Sequence, residues 1–381
     1  MPNAQNSMRL SCSIVGIEES TAIARVIQED GYLGMGTEVK KFEEEIATFL
    51  GVSPHEVACV NTGTSALHLA VQAVTNPGDE ILVQSLTYVA TFQAISAAGA
   101  IPVACEILPD DMTIDLSDAE KHLTPKTKAI MPVHYASNPG ALDKIYAFAK
   151  KYHLRVIEDA AQAFGCLFQG KKIGSFGDVR CFSFDGIKNI TSGEGGAIIS
   201  SDPKVLSRVC DARLLGVEKD TEKRFSGERS WEFDVTRQGY RYHMSNIFAA
   251  LGRVQLQRFI GEFAPKRVQL AQQYVKRLQD VPGIKLLNIE LGAVVPHIQV
   301  VRILKGLRDE VRSALEKNSI PSGIHYKPNH LLSFYGGGKN LLPVTEQVYK
   351  ELLTLPLHPG LSVSDVDSVC DVVLNVLKEK R

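Results

Sequence analysis

An α/β fold with a mostly parallel seven-stranded sheet in a large domain, followed by a smaller α+β domain, is predicted by three observations. From Val57 to about Ser201, apolar runs of four to seven residues alternate with amphipathic segments, as expected when helices cover both faces of a parallel sheet. Past Gly239 the texture shifts to longer helical segments. The chain of 381 residues, 44% of them hydrophobic, also exceeds the size at which one core stops growing, which favours a second, smaller unit.

Taken in order, the pattern predicts an early helix over Val39 to Leu50, where Val39, Phe42, Ile46 and Phe49 recur at helical spacing as an arm against the large domain. Strands follow at Val57 to Val60, Ile81 to Gln84, Pro102 to Glu106, Ala129 to Val133, Arg155 to Glu158, Arg180 to Phe184 and Ala197 to Ser200. Helices between them include Thr64 to Val74 and Leu142 to Tyr152, the latter with Leu142, Ile145, Phe148 and Ala149 on one face. Two amphipathic helices come next, Ile247 to Phe259 and Pro265 to Leu278. A strand at Ile298 to Leu304, a helix near Asp309 to Lys317, a Pro-, Gly- and His-containing loop from Pro321 to Gly338 and a closing helix after Ser364 complete the chain. The expected division is an arm and large domain over residues 1–250 and a smaller domain over 251–381.

Bulk electrostatics point to no nucleic-acid or membrane-surface partner: 42 basic and 43 acidic residues leave a net charge of −1 with no long run of either sign. Seven scattered cysteines, odd in number and without metal-type spacing, read as thiols in a reducing compartment, and no metal is expected. The N-terminus is short and polar, and no stretch approaches the roughly 18 apolar residues of a membrane span. A cytoplasmic protein is the expectation.

Four segments carry the chemistry. Asn61-Thr62-Gly63-Thr64-Ser65 ends a strand and opens a helix, so free backbone N–H groups and the Thr64 and Ser65 hydroxyls can cradle a phosphate; a plain helix cap would look the same. Thr87-Tyr88 follows the next strand, where ligands of open α/β sheets bind, and a phenol there either stacks on a planar ring or packs at the core rim. Asp159 closes another strand, either as a helix cap or as the carboxylate that pairs with a protonated ring nitrogen, with Gln162 one turn on as a donor to a phenolic oxygen. Lys188, between strand residue Ser183 and a turn carrying Gly193, Gly195 and Gly196, can form a Schiff base with an aldehyde and act as a base once released. A phosphate cradle, a stacking ring, a carboxylate and a lysine at successive strand ends are together the parts of a pyridoxal 5'-phosphate site.

With these segments the chain resembles the nucleotide-sugar aminotransferases of the DegT/StrS type, a branch of the fold-type I pyridoxal phosphate enzymes with an aspartate-aminotransferase-like fold. Further landmarks are Gly31-Tyr32-Leu33-Gly34-Met35-Gly36, Pro77-Gly78-Asp79-Glu80, Pro132-Val133-His134, Gly239-Tyr240-Arg241-Tyr242-His243-Met244-Ser245 and Ser322-Gly323-Ile324-His325-Tyr326-Lys327-Pro328. The resemblance implies that Lys188 carries the cofactor covalently and that Asp159 pairs with its ring nitrogen. It further implies that Gln162 binds the phenolic oxygen, that Tyr88 stacks on the ring, and that Gly63, Thr64, Ser65 and Ser183 hold the phosphate. It implies a homodimer with the site at the subunit interface, L-glutamate as donor, and pyridoxamine 5'-phosphate as the amino-carrying form.

Three positions depart from the family pattern: Asp185 replaces a common His, His243 a usual Arg, and Arg241 the Asn with which a partner subunit reaches the phosphate. Arg241 would serve as a charged donor there or toward a substrate diphosphate. His325, Tyr326 and Lys327 occupy a loop that relatives bring near the sugar nucleotide. The wording of Lys188 to Gly196 resembles relatives that aminate carbon 4 of the hexose more than those that aminate carbon 3. The expected reaction is therefore amine transfer to a nucleotide-linked 4-keto-6-deoxyhexose, giving a dTDP-linked 4-amino-4,6-dideoxy sugar for surface polysaccharide, such as lipopolysaccharide O-antigen, or antibiotic biosynthesis. The alternatives are a carbon-3 aminotransferase, a sugar dehydratase of the same fold, in which His replaces Lys188, and a regulatory sensor.

Overall fold

The computed structural model describes residues 8–229, 231–338 and 341–379. Its main sheet uses strands β1 (Val57–Val60), β2 (Glu80–Gln84), β3 (Ile101–Cys105), β4 (Thr127–Met131), β5 (Arg155–Asp159), β8 (Val179–Ser183) and β9 (Gly196–Ile199) in the order β1-β9-β8-β5-β4-β2-β3. A small hairpin, β6 (Leu167–Phe168) and β7 (Lys171–Lys172), lies between β5 and β8 in the chain. All seven predicted strands form, with bounds shifted by at most two residues. Their neighbours are parallel except around β9, which runs antiparallel to both β1 and β8. β1, β8 and β9 are buried along their whole length, which is why β1 and β9 read as unbroken apolar runs and β8 as one interrupted only by Arg180 and Ser183. Pro102 sits in β3 at the sheet's edge, where a missing N–H breaks no ladder.

The predicted first helix forms over Thr37–Leu50 and buries Val39, Phe42 and Ile46, together with Ala47 and Leu50, in the large core. Phe49 stays partly exposed and stacks on Phe164 with ring centres 5.0 Å apart. This helix is fixed to the strand before the phosphate-cradle segment by a buried pair. Arg213 Nη1 lies 2.6 Å from Glu43 Oε1 and 2.7 Å from the Cys59 carbonyl, and Glu43 also accepts the Cys59 N–H at 2.7 Å. Removing one partner strands a buried charge. Glu43→Ala is expected to lower unfolding free energy by about 3–5 kcal/mol, read as a fall in the urea midpoint of cofactor-free protein.

The helix Asn246–Arg258 continues through a wider turn at Phe259–Phe263 into Ala264–Leu278. Ala249, Leu256, Phe259 and Phe263 pack in the large core, whereas Leu270, Tyr274 and Leu278 pack in the C-terminal one. Core membership thus changes between Phe263 and Leu270. The C-terminal core is completed by an antiparallel sheet, β10 (Ile284–Leu286), β11 (Gln299–Ile303) and β12 (Leu352–Leu355), and by the helices Arg308–Lys317 and Val363–Glu379. Among the described residues, all seven cysteines are free thiols, five of them buried, and no helix is long and apolar enough to cross a membrane.

Candidate active site

A cleft of about 590 Å³ opens at the carboxyl ends of β1, β2, β4, β5 and β8, the expected place in an open α/β sheet. It is lined by Gly63, Thr64, Tyr88, Asp159, Gln162, Ser183, Lys188, His325 and Tyr326 of the sequence-predicted set, and by Thr91, Asp185 and Glu194.

At one wall the helix Gly63–Val74 begins. Thr62 is its cap, its hydroxyl accepting the Ser65 N–H at 2.9 Å. The Ser65 hydroxyl is spent on the same cap, 2.7 Å from Asn61 Oδ1 and 2.8 Å from the Thr62 carbonyl, and it does not line the cleft. The groups left facing the cleft here belong to Gly63, Thr64 and Ser183. A side chain at Gly63 would place a Cβ 2.6 Å from Ser183 Cβ, and one at Gly196 would sit 2.5 Å from the Thr62 carbonyl. Glycine therefore lets the helix start press against β8 and β9, leaving a concave wall of backbone N–H groups.

At the floor, Asp159 is 5% exposed. Its Oδ2 accepts the Thr91 hydroxyl at 2.8 Å, itself 2.9 Å from the Thr87 hydroxyl, and its Oδ1 accepts the Ala161 N–H at 3.2 Å. Burial pushes this carboxyl above its ordinary range, against the opposing effects of those two hydrogen bonds and the charges of Lys188 and His134. Among the described residues it has no ion-pair contact. Gln162 lies beside it, its Oε1 held by the Ala136 N–H at 2.7 Å and its Nε2 3.1 Å from the Tyr326 hydroxyl. Tyr88, 55% exposed, faces Tyr326 with ring centres 5.3 Å apart.

Lys188 is carried on the connection from β8 to β9. That loop is closed by Phe184 N–H to the Gly195 carbonyl at 2.8 Å and Ser192 N–H to the Phe184 carbonyl at 2.9 Å, with Gly193 in the left-handed region at φ +83°. Asn189 Nδ2 ties it to the Phe164 and Val295 carbonyls at 3.1 and 3.0 Å. Burial holds the Lys188 amine below the ordinary lysine range; Asp185 and Asp159 oppose that shift and Arg267 adds to it. Nζ lies 3.5 Å from Nε2 of His297. Burial and the Lys188 charge lower the His325 imidazole to about 4.

Two predicted residues stand apart. Arg241 is exposed; its segment runs beside the end of β1, with Asn61 N–H on the Tyr242 carbonyl at 2.7 Å and the Arg241 carbonyl 3.4 Å from Asn61 Nδ2. Lys327 is exposed and does not line this cleft. Sequence reasoning passed over Thr91, Arg267 and His297. Thr91 was signalled by the hydroxyls of Thr87 and Thr91 one helical turn apart, and His297 by an imidazole inside the apolar run Val294 to Val301.

A helix start able to hold a phosphate, a buried carboxylate lacking a cation, an exposed phenol ring and a half-buried lysine whose pKa desolvation lowers suit pyridoxal 5'-phosphate, whose phosphate, ring nitrogen and aldehyde complement them in turn. They define the site of a fold-type I pyridoxal phosphate enzyme. Residues 15–374 match the model of the DegT/DnrJ/EryC1/StrS aminotransferase family. The chain is 35% identical, over 94% of each chain, to the dTDP-4-dehydro-2,3,6-trideoxy-D-glucose 4-aminotransferase of Saccharopolyspora spinosa. Its structure is similar to that of the aminotransferase TlmJ of Streptoalloteichus hindustanus (TM-score 0.90, 31% identity, 98% and 99% of the chains). It is also similar to the PLP form of the putative sugar aminotransferase Spr1654 of Streptococcus pneumoniae (TM-score 0.89, 26% identity, 98% and 99% of the chains). The chain belongs to the DegT/DnrJ/EryC1/StrS aminotransferase family; it is a pyridoxal-phosphate-dependent aminotransferase acting on a sugar.

Proposed function

We propose that the enzyme moves the amino group of L-glutamate to carbon 4 of a nucleotide-linked 4-keto-6-deoxyhexose, with dTDP as the nucleotide. The observation that carries the chemical part is Lys188, half-buried on a closed loop and lining the same cleft as the buried Asp159. The carbon-4 and dTDP assignments rest on the Lys188 to Gly196 wording and on the similarity to a dTDP-sugar 4-aminotransferase.

Bound at this site, pyridoxal phosphate supplies an electron-withdrawing ring that delocalises the electron pair left when a proton departs from carbon. Gly63, Thr64 and Ser183 would hold its phosphate, Tyr88 would stack on its ring, and Asp159 would keep the ring nitrogen protonated, gaining the cationic contact it otherwise lacks. Lys188 would hold the cofactor through Nζ, and that amine, when free, would be the base that moves a proton from the donor's α-carbon. In the second half-reaction Nζ works in reverse and delivers a proton to carbon 4 of the sugar from the cleft floor, which fixes the hand of the new amine. Gln162 hydrogen-bonds the phenolic oxygen, and His325 and Tyr326, at the cleft mouth, contact the hexose. Lys327 and the partner subunit's Arg241 serve the anionic ends of substrate and cofactor in a homodimer.

Incubating the loaded protein with glutamate and dTDP-, UDP- and GDP-linked 4-keto-6-deoxyhexoses tests the reading. The expected result is a yellow protein that bleaches with glutamate and forms a 4-amino product fastest from the dTDP sugar. Proton NMR showing the amine on carbon 3, or an alkene-derived deoxy product, would replace it with one of the alternatives.

A further inference from the structure

His297 is 2% exposed and enters β11 from the C-terminal part of the chain, yet its ring meets the lysine of the large domain. The two residues are held face to face through their backbones by one guanidinium. Arg267 donates to the His297 carbonyl at 3.1 Å and to the Lys188 carbonyl at 3.4 Å. Among the described residues Arg267 pairs with no carboxylate, and its Nη atoms bond only carbonyls, including those of Pro296 and Leu357. From the other side, Ser137 accepts the His297 N–H at 2.9 Å while its hydroxyl donates to the Gln162 carbonyl. His297 is thus fixed to both the lysine loop and the segment bearing Gln162. Its Nδ1 is buried without a partner, so packing and hydrogen bonding within the core do not account for a polar ring at this position.

We propose that His297 is a positioning residue for Lys188: its neutral imidazole accepts a hydrogen from Nζ through Nε2 and keeps the amine's lone pair, or the proton it has taken, directed into the cleft. The inference rests on the role proposed above for Lys188. The groups facing the ring are Lys188, Arg267 and His325, all cationic or cation-forming, and together with burial they keep the imidazole from competing for the proton. The proton therefore moves through Nζ and not onto the imidazole, and His297 contributes a hydrogen-bond acceptor in a dry position where a misdirected amine would pass the reacting carbon.

Three variants test this. In loaded His297→Leu, kcat falls on the order of 100-fold while KM for both substrates holds, the split expected when orientation rather than binding is lost. His297→Gln, whose amide reaches the place of Nε2, recovers most of the rate. In cofactor-free protein, acetylation of Lys188 followed against pH by peptide mass spectrometry should show its midpoint moving down by about one unit in His297→Leu, because an acceptor favouring the ammonium is gone, and returning in His297→Gln. If His297→Leu does not accumulate folded, His297→Asn, one carbon too short to reach Nζ, takes its place against His297→Gln. A parental kcat in the leucine variant, an unmoved midpoint, or equal losses in leucine and glutamine variants would overturn the proposal. With Lys188→Ala inactive, such a result sinks only the role of His297; full turnover by Lys188→Ala sinks the lysine's role as well.

Discussion

Lys188→Ala is expected to lose about 10²- to 10⁴-fold in kcat from the absent general base alone, and to yield no cofactor-bearing peptide at position 188 after borohydride reduction. The variant should still take up pyridoxal phosphate, because Gly63, Thr64, Ser183 and Asp159 stand on other elements of the cleft wall. The parent's pH profile carries the same information. Burial lowers the ammonium's pKa, so the free amine is present at a lower pH than for an exposed lysine. Activity limited by this base declines only as pH falls through that lowered value. A kcat for Lys188→Ala within a few-fold of the parent, measured by release of 2-oxoglutarate, would remove the residue from the chemistry.

Asp159→Asn is the second large effect and has opposite signs for activity and stability. An amide cannot hold the ring nitrogen protonated, so kcat should drop by about 10- to 1000-fold, a factor of ten for each of the 1 to 3 pKa units that a neighbouring opposite charge supplies. The cofactor-free protein should become more stable at neutral pH. The folded pKa of Asp159 lies above its unfolded value, so the folded state binds this proton more tightly, and the ionised carboxylate destabilises the fold at pH values above both. Replacing it by a neutral amide removes that penalty, and the advantage should fade as pH falls through the folded and then the unfolded pKa. Thermal melts of both cofactor-free proteins between pH 4 and pH 8, values spanning the ordinary carboxylate and neutral ranges, read this directly. A parent more stable than Asp159→Asn at pH 8 would mean that Thr91 and Ala161 more than offset the burial.

Most of the frame was legible because buried strands leave a clear trace: β1 and β9 are short apolar runs, β8 is interrupted only by Arg180 and Ser183, and Gly or Pro marks several of their boundaries. β10 and β12 were passed over. Ile284–Leu286 is only three residues long and half exposed, and Leu352–Leu355 follows the helix Pro343–Glu351 with no intervening turn residue. In the cleft, Asp159 at a strand end and Lys188 in the loop after one were both singled out by local motif, and the fold brings them to one cleft. Ser65 has the right chemistry at the right spacing, but a hydroxyl at the third position of a helix is also the natural partner of the cap, and the cap takes it. His297 illustrates the reverse case. Its neighbour in space is 109 positions away, and no one-dimensional pattern connects an imidazole before one strand to an amine after another.

The reversal of β9 has a mechanical consequence. Because Gly196 pairs with Val60 on one side and Ser183 on the other, the twelve residues between Ser183 and Gly196 form a staple whose two feet are sewn to adjacent strands. The Lys188 amine thus rides on a span of fixed length, and inserting a single residue there is expected to leave the scaffold whole while displacing the amine. Connections at the amino ends of the strands, away from the cleft, carry no such penalty, so they have room to be remodelled where the staple does not.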